Sequence, residues 1–204
     1  GDTKIDYTNK LGRKVVLKLK VADDIATGIL EQWEIGEYDL IILGAPEEKR
    51  GLARALIDPP IAEKVAMNAS CSVLVARGLE VGHGHLICTD GTERSLEMVS
   101  KDAMLASRCN CAISLISVTA DVEGEAEAKT YLNDARSVIE EFEVEIEDML
   151  SPVGDPVEEI IEAGANYSVI VVSESSRSGM ERLLVGSVAK RVLRKAHNSV
   201  LVVR

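Results

Sequence analysis

The chain predicts an α/β fold: a doubly wound, mainly parallel sheet, present as a tandem repeat. Three observations carry this. The second half alternates apolar runs with amphipathic stretches in the order β-α-β-α-β-α-β-α-β, the pattern of strands joined by crossover helices. Residues 167–172 form a continuous apolar run, as a strand buried on both faces does. The end of the first half then repeats the end of the second. Ile61-Ala62-Glu63-Lys64-Val65 matches Val188-Ala189-Lys190-Arg191-Val192, and residues 72–77 match residues 199–204. The repeating unit is domain-sized, so this is a duplication rather than a solenoid.

Taken in order, residues 15–21 alternate Leu17, Leu19 and Val21 with Lys18 and Lys20, as on a half-exposed strand. Asp23 is expected to open a helix carrying Ile25, Ile29 and Trp33. Residues 38–44 mirror residues 167–173 as a strand. Residues 3–8 are too short and polar for a central strand. In the second half, strand 85–89 precedes a helix with Leu96, Val99, Ala103 and Ala106 on one face. Strand 112–118 follows, then a helix with Tyr131, Ala135, Val138 and Phe142 at helical spacing. Val144 and Ile146 alternate with glutamates on a further strand. Val157, Ile160 and Ile161 mark a short helix that Pro156 can begin.

Composition narrows the function. In 204 residues, 46% are hydrophobic and 28% charged, which suits a soluble globular protein with a core. Aromatic residues are 3%, so Val, Ile, Leu and Ala build that core. No apolar run reaches the roughly 18 residues of a membrane span, and no signal-peptide pattern occurs. A net charge of -11 argues against a nucleic-acid partner. It leaves room for a single nucleotide, whose phosphates backbone N–H groups can hold. The chain starts at Gly1 and not at Met, as expected of a cloning scar or of a cut from a longer protein. Cys71, Cys88, Cys109 and Cys111 are not spaced as a disulfide framework, and the composition reads as cytoplasmic. Cys109-Asn110-Cys111 has two readings, half a metal site or small apolar residues at a helix-to-strand junction, of which the junction is favoured, and His83-Gly84-His85 reads as a linker entering a strand. With no matched pair elsewhere, no metal is expected beyond Mg accompanying ATP.

The candidate site lies late in the chain. Ser173-Glu174-Ser175-Ser176-Arg177-Ser178-Gly179 is a polar loop after a strand, and Gly186-Ser187 is expected to open the next helix. Free N–H groups of a first helical turn, with the helix dipole behind them, suit an anion.

These residues resemble the universal stress protein family. That family carries Gly-x-x-Gly, nine residues, then Gly-Ser or Gly-Thr before a helix and a strand. Ser173 and Ser176 stand at the two leading glycine positions, and Gly186-Ser187 at the last. His85-Leu86-Ile87-Cys88-Thr89-Asp90-Gly91-Thr92-Glu93 is similar to the family's opening strand. The resemblance covers residues 84–204 fully and 14–77 in part. It implies the family's adenine-nucleotide alpha hydrolase-like fold with strand order 3-2-1-4-5. It also implies an incomplete copy over residues 1–78, a linker over 79–84 and a complete copy over 85–204.

By the same resemblance the ligand would be ATP or AMP. Thr89, Asp90 and Val118 would flank the adenine, and Ser173, Ser176, Gly186, Ser187 and Val188 would surround the ribose and phosphates. Asp90 has a second reading, as the cap of the turn with Gly91 and Thr92. Ser187 has one too, as a helix N-cap. Arg177 and Arg182 are either phosphate partners or solvated loop cations. The first copy has Asp58-Pro59-Pro60 in place of Gly186-Ser187, which removes N–H donors and adds a repelling charge. Nucleotide is therefore expected in the second copy only.

Three functions are compatible with these features: a regulatory module sensing adenine nucleotide, a ligand-free dimerisation scaffold, and a slow ATPase. No nucleophile-histidine-carboxylate set is present to support catalysis. The module could be the cytosolic tail of a larger protein such as a transporter, with a membrane domain upstream. The family pairs subunits through its last strand, so residues 72–77 are expected beside 199–204, in a homodimer or an intramolecular pseudo-dimer. The first copy lacks its central strand. Residues 15–21 and 38–43 are therefore expected to pair with each other or with a neighbouring chain.

Overall fold

A computed structural model describes residues 3–8, 12, 14–36, 38–44, 61–77, 83–173 and 180–204, with the backbone alone for 3–8, 14 and 180–187. The chain divides into two compact units, Gly1–Tyr38 and Asp39–Arg204.

The first unit holds a hairpin and a helix. Strand β1 (Thr3–Thr8) pairs antiparallel with β2 (Lys14–Leu19), Thr3 opposite Leu19 and Thr8 opposite Lys14. Residues 3–8 thus form a strand of a two-stranded sheet and, as expected, not a central one. Antiparallel pairing needs only a short connection, and it supplies β2 with a partner that the sequence reading had sought in residues 38–43. Helix α1 (Ile25–Gly36) is capped by Asp24 rather than Asp23, because the Asp24 carboxylate accepts from the Thr27 N–H at 2.9 Å. Trp33 Nε1 donates to the Tyr38 carbonyl at 2.7 Å and ties down the chain beyond the helix.

The second unit is a seven-stranded sheet between helices. Its elements are β3 (Leu40–Gly44), α2 (Ile61–Asn68), β4 (Ser72–Ala76), β5 (His85–Cys88), α3 (Glu93–Cys109), β6 (Ile113–Ile116), α4 (Glu125–Glu140), β7 (Ile146–Leu150), α5 (Pro156–Gly164), β8 (Val169–Ser173), α6 (Met180–Lys195) and β9 (Ser199–Val203). The strand order is β3-β4-β9-β8-β5-β6-β7. Residues 85–203 therefore contribute five parallel strands in the order 3-2-1-4-5 read from β7 to β9. Strand β3 pairs parallel with β4, not with β2.

Helices cover both faces, as the period-2 alternation of strand side chains dictates. Ile87, Ile113, Leu115 and Val171 point to one face and pack with Met98, Val99, Ala103 and Ala106 of α3 and with Leu132, Ala135 and Ile139 of α4. The buried stripe of α4 is Ala128, Leu132, Ala135 and Ile139. The expected stripe shared only Ala135 with it; the bulky Tyr131, Val138 and Phe142 flank the packed seam, where small Ala128 lets the helix approach. On the opposite face, α5 approaches closely because Gly164 has no side chain. A Cβ there would stand 2.4 Å from Ile170 Cδ1.

The two repeats meet where β4 and β9 pair antiparallel, Val73 opposite Val202 and Val75 opposite Val200. Residues 72–77 and 199–204 lie side by side, as their matching sequences lead one to expect. The flanking bonds repeat with the sequence. Ser199 Oγ accepts from the Arg77 N–H at 3.0 Å, and Ser72 Oγ accepts from the Arg204 N–H at 3.2 Å. The Arg77 guanidinium donates to the Leu193 carbonyl at 2.6 Å, and that of Arg204 to the Ala66 carbonyl at 2.8 Å. Between α2 and α6, Glu63 accepts from Arg194 Nε at 2.6 Å and pairs with Lys190 at 3.3 Å.

Among the described residues, no helix is long and apolar enough to cross a membrane. Cys109 and Cys111 stand at the expected helix-to-strand junction and are joined there as a disulfide, which the cysteine spacing did not announce. The reason is local. Helix α3 ends at Cys109, and Asn110 adopts the left-handed conformation (φ 54°, ψ 44°), turning the chain so that its neighbours' side chains meet.

Candidate functional site

Strand β5 lies between β6 and β8. The chain leaves β5 toward β6 by way of α3, and leaves β8 toward β9 by way of α6, so the connections diverge at the β5–β8 pair. That is the topological switch point of a doubly wound sheet, where a crevice opens beyond the carboxyl ends of the strands. A cleft of about 150 Å³ occurs there. Its walls come from four directions: Thr89 and Asp90 after β5, Ile116 at the end of β6 with Val118 beyond it, Pro156 and Ile160 of α5, and Val172, Ser173, Val188 and Ala189 from β8 and α6.

Of the eight residues expected from the sequence, five line this one cleft: Thr89, Asp90, Val118, Ser173 and Val188. The expectations for Ser176, Arg177 and the Asp58-Pro59-Pro60 segment fall outside the described residues. Gly186 and Ser187 are described by their backbone, and here the structure corrects the reading. Helix α6 begins at Met180, so Gly186-Ser187 sits inside the helix rather than at its start. Helical residues beyond the first turn spend their N–H groups on carbonyls four residues back, and the free donors belong to the first four residues. The cause is propensity. Met180-Glu181-Arg182-Leu183-Leu184 are strong helix formers, and together they outweigh the roughly 1 kcal/mol that an interior glycine costs.

The polar floor of the cleft is a linked turn. Asp90 Oδ1 accepts from Thr92 Oγ1 at 2.7 Å and from the Thr92 N–H at 3.2 Å. Thr92 is the N-cap of α3 and accepts from the Ser95 N–H. Ser95 Oγ in turn donates to Thr89 Oγ1 at 2.8 Å. So Asp90 does cap the turn with Gly91 and Thr92. Its second oxygen, Oδ2, accepts no bond among the described residues. Gly91 is required for this turn. Its φ is +71°, and a Cβ there would stand 2.0 Å from Tyr131 Cδ1.

The rest of the wall is apolar, from Ile116, Val118, Ile160, Val172 and Val188. Burial pushes the Cys88 thiol far above its ordinary range, so it lines the cleft as a neutral group. Beside the cleft, Asp155 caps α5 through the Val157 and Glu158 N–H groups at 3.0 and 3.1 Å. Those bonds, that to Glu158 foremost, and the Arg191 guanidinium hold its carboxyl below the usual range. An apolar slot with one open carboxylate oxygen at its rim suits a flat heterocycle that carries an amino or hydroxyl donor. Sequence reasoning missed Pro156, Ile160 and Ala189, because which residues of α5 and α6 face the switch point is decided by packing across the sheet.

Comparison with known proteins agrees with the fold. The universal stress protein family model matches residues 6–77 and 85–204. Universal stress protein MJ0531 of Methanocaldococcus jannaschii is 33% identical over 138 residues, spanning 58% of this chain and 80% of that protein. Among solved structures, a putative universal stress protein from Pseudomonas aeruginosa superposes with a TM-score of 0.67 at 19% identity, over 89% of this chain and 69% of that one. A universal stress protein from Archaeoglobus fulgidus gives 0.65 at 17% identity, over 89% of this chain and 65% of that one. A third, a universal stress protein in complex with cAMP, gives 0.50 at 22% identity, over 59% of this chain and 95% of that one. The structural likeness concerns the fold; with the family match over both segments, it means that this chain belongs to the universal stress protein family.

Proposed function

We propose that this chain is a regulatory module that binds an adenine nucleotide, ATP or AMP, in the cleft at the carboxyl ends of β5, β6 and β8. The observation that carries this reading is the convergence of Thr89, Asp90, Val118, Ser173 and Val188 on that cleft. A universal stress protein of the same fold is in complex with cAMP, which makes adenine nucleotides the class to test. The cleft is smaller than the ~300–1,000 Å³ of typical ligand pockets. In this reading it holds the base alone, against Val118 and Val188, with Asp90 Oδ2 accepting from an amino group. Ribose and phosphates extend past Ser173 toward Ser176, Gly186 and Ser187, with Mg only as the companion of ATP.

The domain scheme belongs to the same proposal: an incomplete copy over residues 1–78, a linker over 79–84 and a nucleotide-binding copy over 85–204, acting in the cytoplasm. The first copy serves as an internal partner, since β4 already occupies the edge of β9 that a second subunit would take. A membrane domain upstream would make the module a sensor for that protein.

One observation favours the alternative of a ligand-free scaffold. Asp90 Oδ1 is committed to Thr92, and α6 runs through Gly186, so two features expected of a phosphate and base site serve structure instead. Calorimetric titration with ATP and with AMP separates the readings. The nucleotide reading expects one site per chain, lost in Val118→Trp, which fills the cleft. No heat of binding, two equivalent sites, or full affinity in the variant contradicts it.

A further inference from the structure

At the other end of β5 from the cleft, the fold assembles a second group of chemically active side chains. His85 is the first residue of β5 and is 6% exposed. Cys109 ends α3, and Cys111 stands just before β6. A ring nitrogen of His85 and the two sulfurs all lie within 4.8 Å of one another. The β5-α3-β6 crossover makes this meeting. The His85 N–H donates to the Ala112 carbonyl at 2.9 Å, which sets the start of β5 against the residue next to Cys111. Gly84, at φ +68°, permits the approach, since a Cβ there would stand 2.8 Å from that same carbonyl oxygen.

Behind the histidine stands Asp102, 1% exposed, whose Oδ2 lies 2.9 Å from His85 Nδ1. Its Oδ1 has no partner among the described residues. A buried carboxylate is costly unless positive charge compensates it. A carboxylate on one ring nitrogen also fixes the other as a lone-pair donor, the arrangement that orients histidine ligands of zinc. The sequence alone lacked a matched partner for the Cys-x-Cys pair; the topology supplies one in His85, with its carboxylate already in place.

We propose that, with Cys109 and Cys111 reduced, this cluster binds a thiophilic divalent cation, Zn²⁺ in the first instance, through the two thiolates and His85 Nε2. Asp102 acts as the positioning residue on Nδ1. Two sulfurs and one imidazole are a known zinc ligand set that leaves a fourth position for water. Cys109 is exposed and Cys111 half-buried, so the ion has an entry path. Binding releases the two thiol protons to solvent, so the complex carries two thiolates, one neutral imidazole and the ion. The disulfide is the two-electron oxidised form of the same pair and cannot ligate this way. Opening it takes two electrons from a reductant such as a phosphine and two protons from water, whose oxygen leaves on the phosphine oxide. The site is therefore available to the ion only in the reduced state.

Cobalt titration of the full chain tests this. After phosphine reduction, Co²⁺ should bind at one per chain, giving a thiolate-to-cobalt charge-transfer band and intense tetrahedral d–d bands that Zn²⁺ abolishes. The oxidised chain should show neither. Cys109→Ser and Cys111→Ser should each lose most of the charge-transfer band. Cys109 is exposed, so its variant keeps the fold, checked by circular dichroism. Asp102→Asn should weaken Zn²⁺ binding about 10–100-fold, the range seen on removal of such partners. Absence of a charge-transfer band in the reduced chain overturns the proposal. So does a band that survives in the double cysteine variant, which would place the ion at Cys71 or Cys88.

Discussion

Leu74 of β4 and Leu201 of β9 stand directly opposite each other at the centre of the antiparallel ladder that joins the two repeats. Around this pair the bonds of one repeat are returned by the other: the guanidinium of Arg77 donates to the Leu193 carbonyl and that of Arg204 to the Ala66 carbonyl, and the N–H of Arg77 donates to Ser199 Oγ and that of Arg204 to Ser72 Oγ. This is the self-complementary pattern of a two-fold dimer interface, realised within one chain. One pair breaks the symmetry. Glu63 and Lys190 occupy matching positions in the repeat, and they form an ion pair. Two identical copies would place like charges there, so the divergence of these positions favours pairing of the first copy with the second.

Replacing Glu63 tests that specificity. Burial acts to raise the Glu63 pKa, but the bonds from Arg194 and Lys190 outweigh it and hold the carboxyl below its ordinary 4.5. A depressed pKa contributes stability that is fully present above the unfolded value and is lost as pH falls through the folded one. Glu63→Gln should cost roughly 1–2 kcal/mol at pH 7, the low end for bonds between charged groups because Arg194 and Lys190 are half-exposed. Urea unfolding should show the gap closing below pH 4.5. A gap independent of pH would mean that packing, not charge, is what the variant loses.

The near-symmetry of the two arginines predicts comparable costs for their removal. Arg77→Ala and Arg204→Ala should each destabilise by about 1–3 kcal/mol, the range for losing a charged donor to a carbonyl shielded from water. Denaturant midpoints of both variants check this. A large loss in one and none in the other would contradict the two-fold account.

At the rim of the cleft, Gly91→Ala should be strongly destabilising. The left-handed backbone alone costs roughly 1–2 kcal/mol with a side chain, and the Tyr131 ring must move as well. Tyr131→Ala should recover part of the loss when combined with Gly91→Ala. Additive costs in the double variant would deny the contact its role.

The five parallel strands were legible in the sequence, because apolar strands between amphipathic stretches are local signals, and the pairing of β4 with β9 followed from the duplicated segment together with the family resemblance. The corrected features depend on competition between elements. Gly186-Ser187 looks like a helix start, yet the six residues before it propagate the helix upstream. The buried stripe of α4 is decided by which side chains let it approach the sheet, and Ala128 outweighs Tyr131 there. Five residues of the candidate site were legible because strand ends in this topology converge. The cluster of His85 with Cys109 and Cys111 was not, since it requires both the β5-α3-β6 crossover and the left-handed turn at Asn110.

An adenine base in the cleft at the β5–β8 switch point is the core of the proposed function. Amide chemical-shift mapping of the labelled chain during titration with ATP tests it most directly. Saturable shifts should concentrate at Thr89, Asp90, Val118, Ser173 and Val188, with the strands at the opposite end of the sheet unmoved. Saturating ATP that leaves those five amides in place, or shifts only residues remote from the cleft, would contradict it.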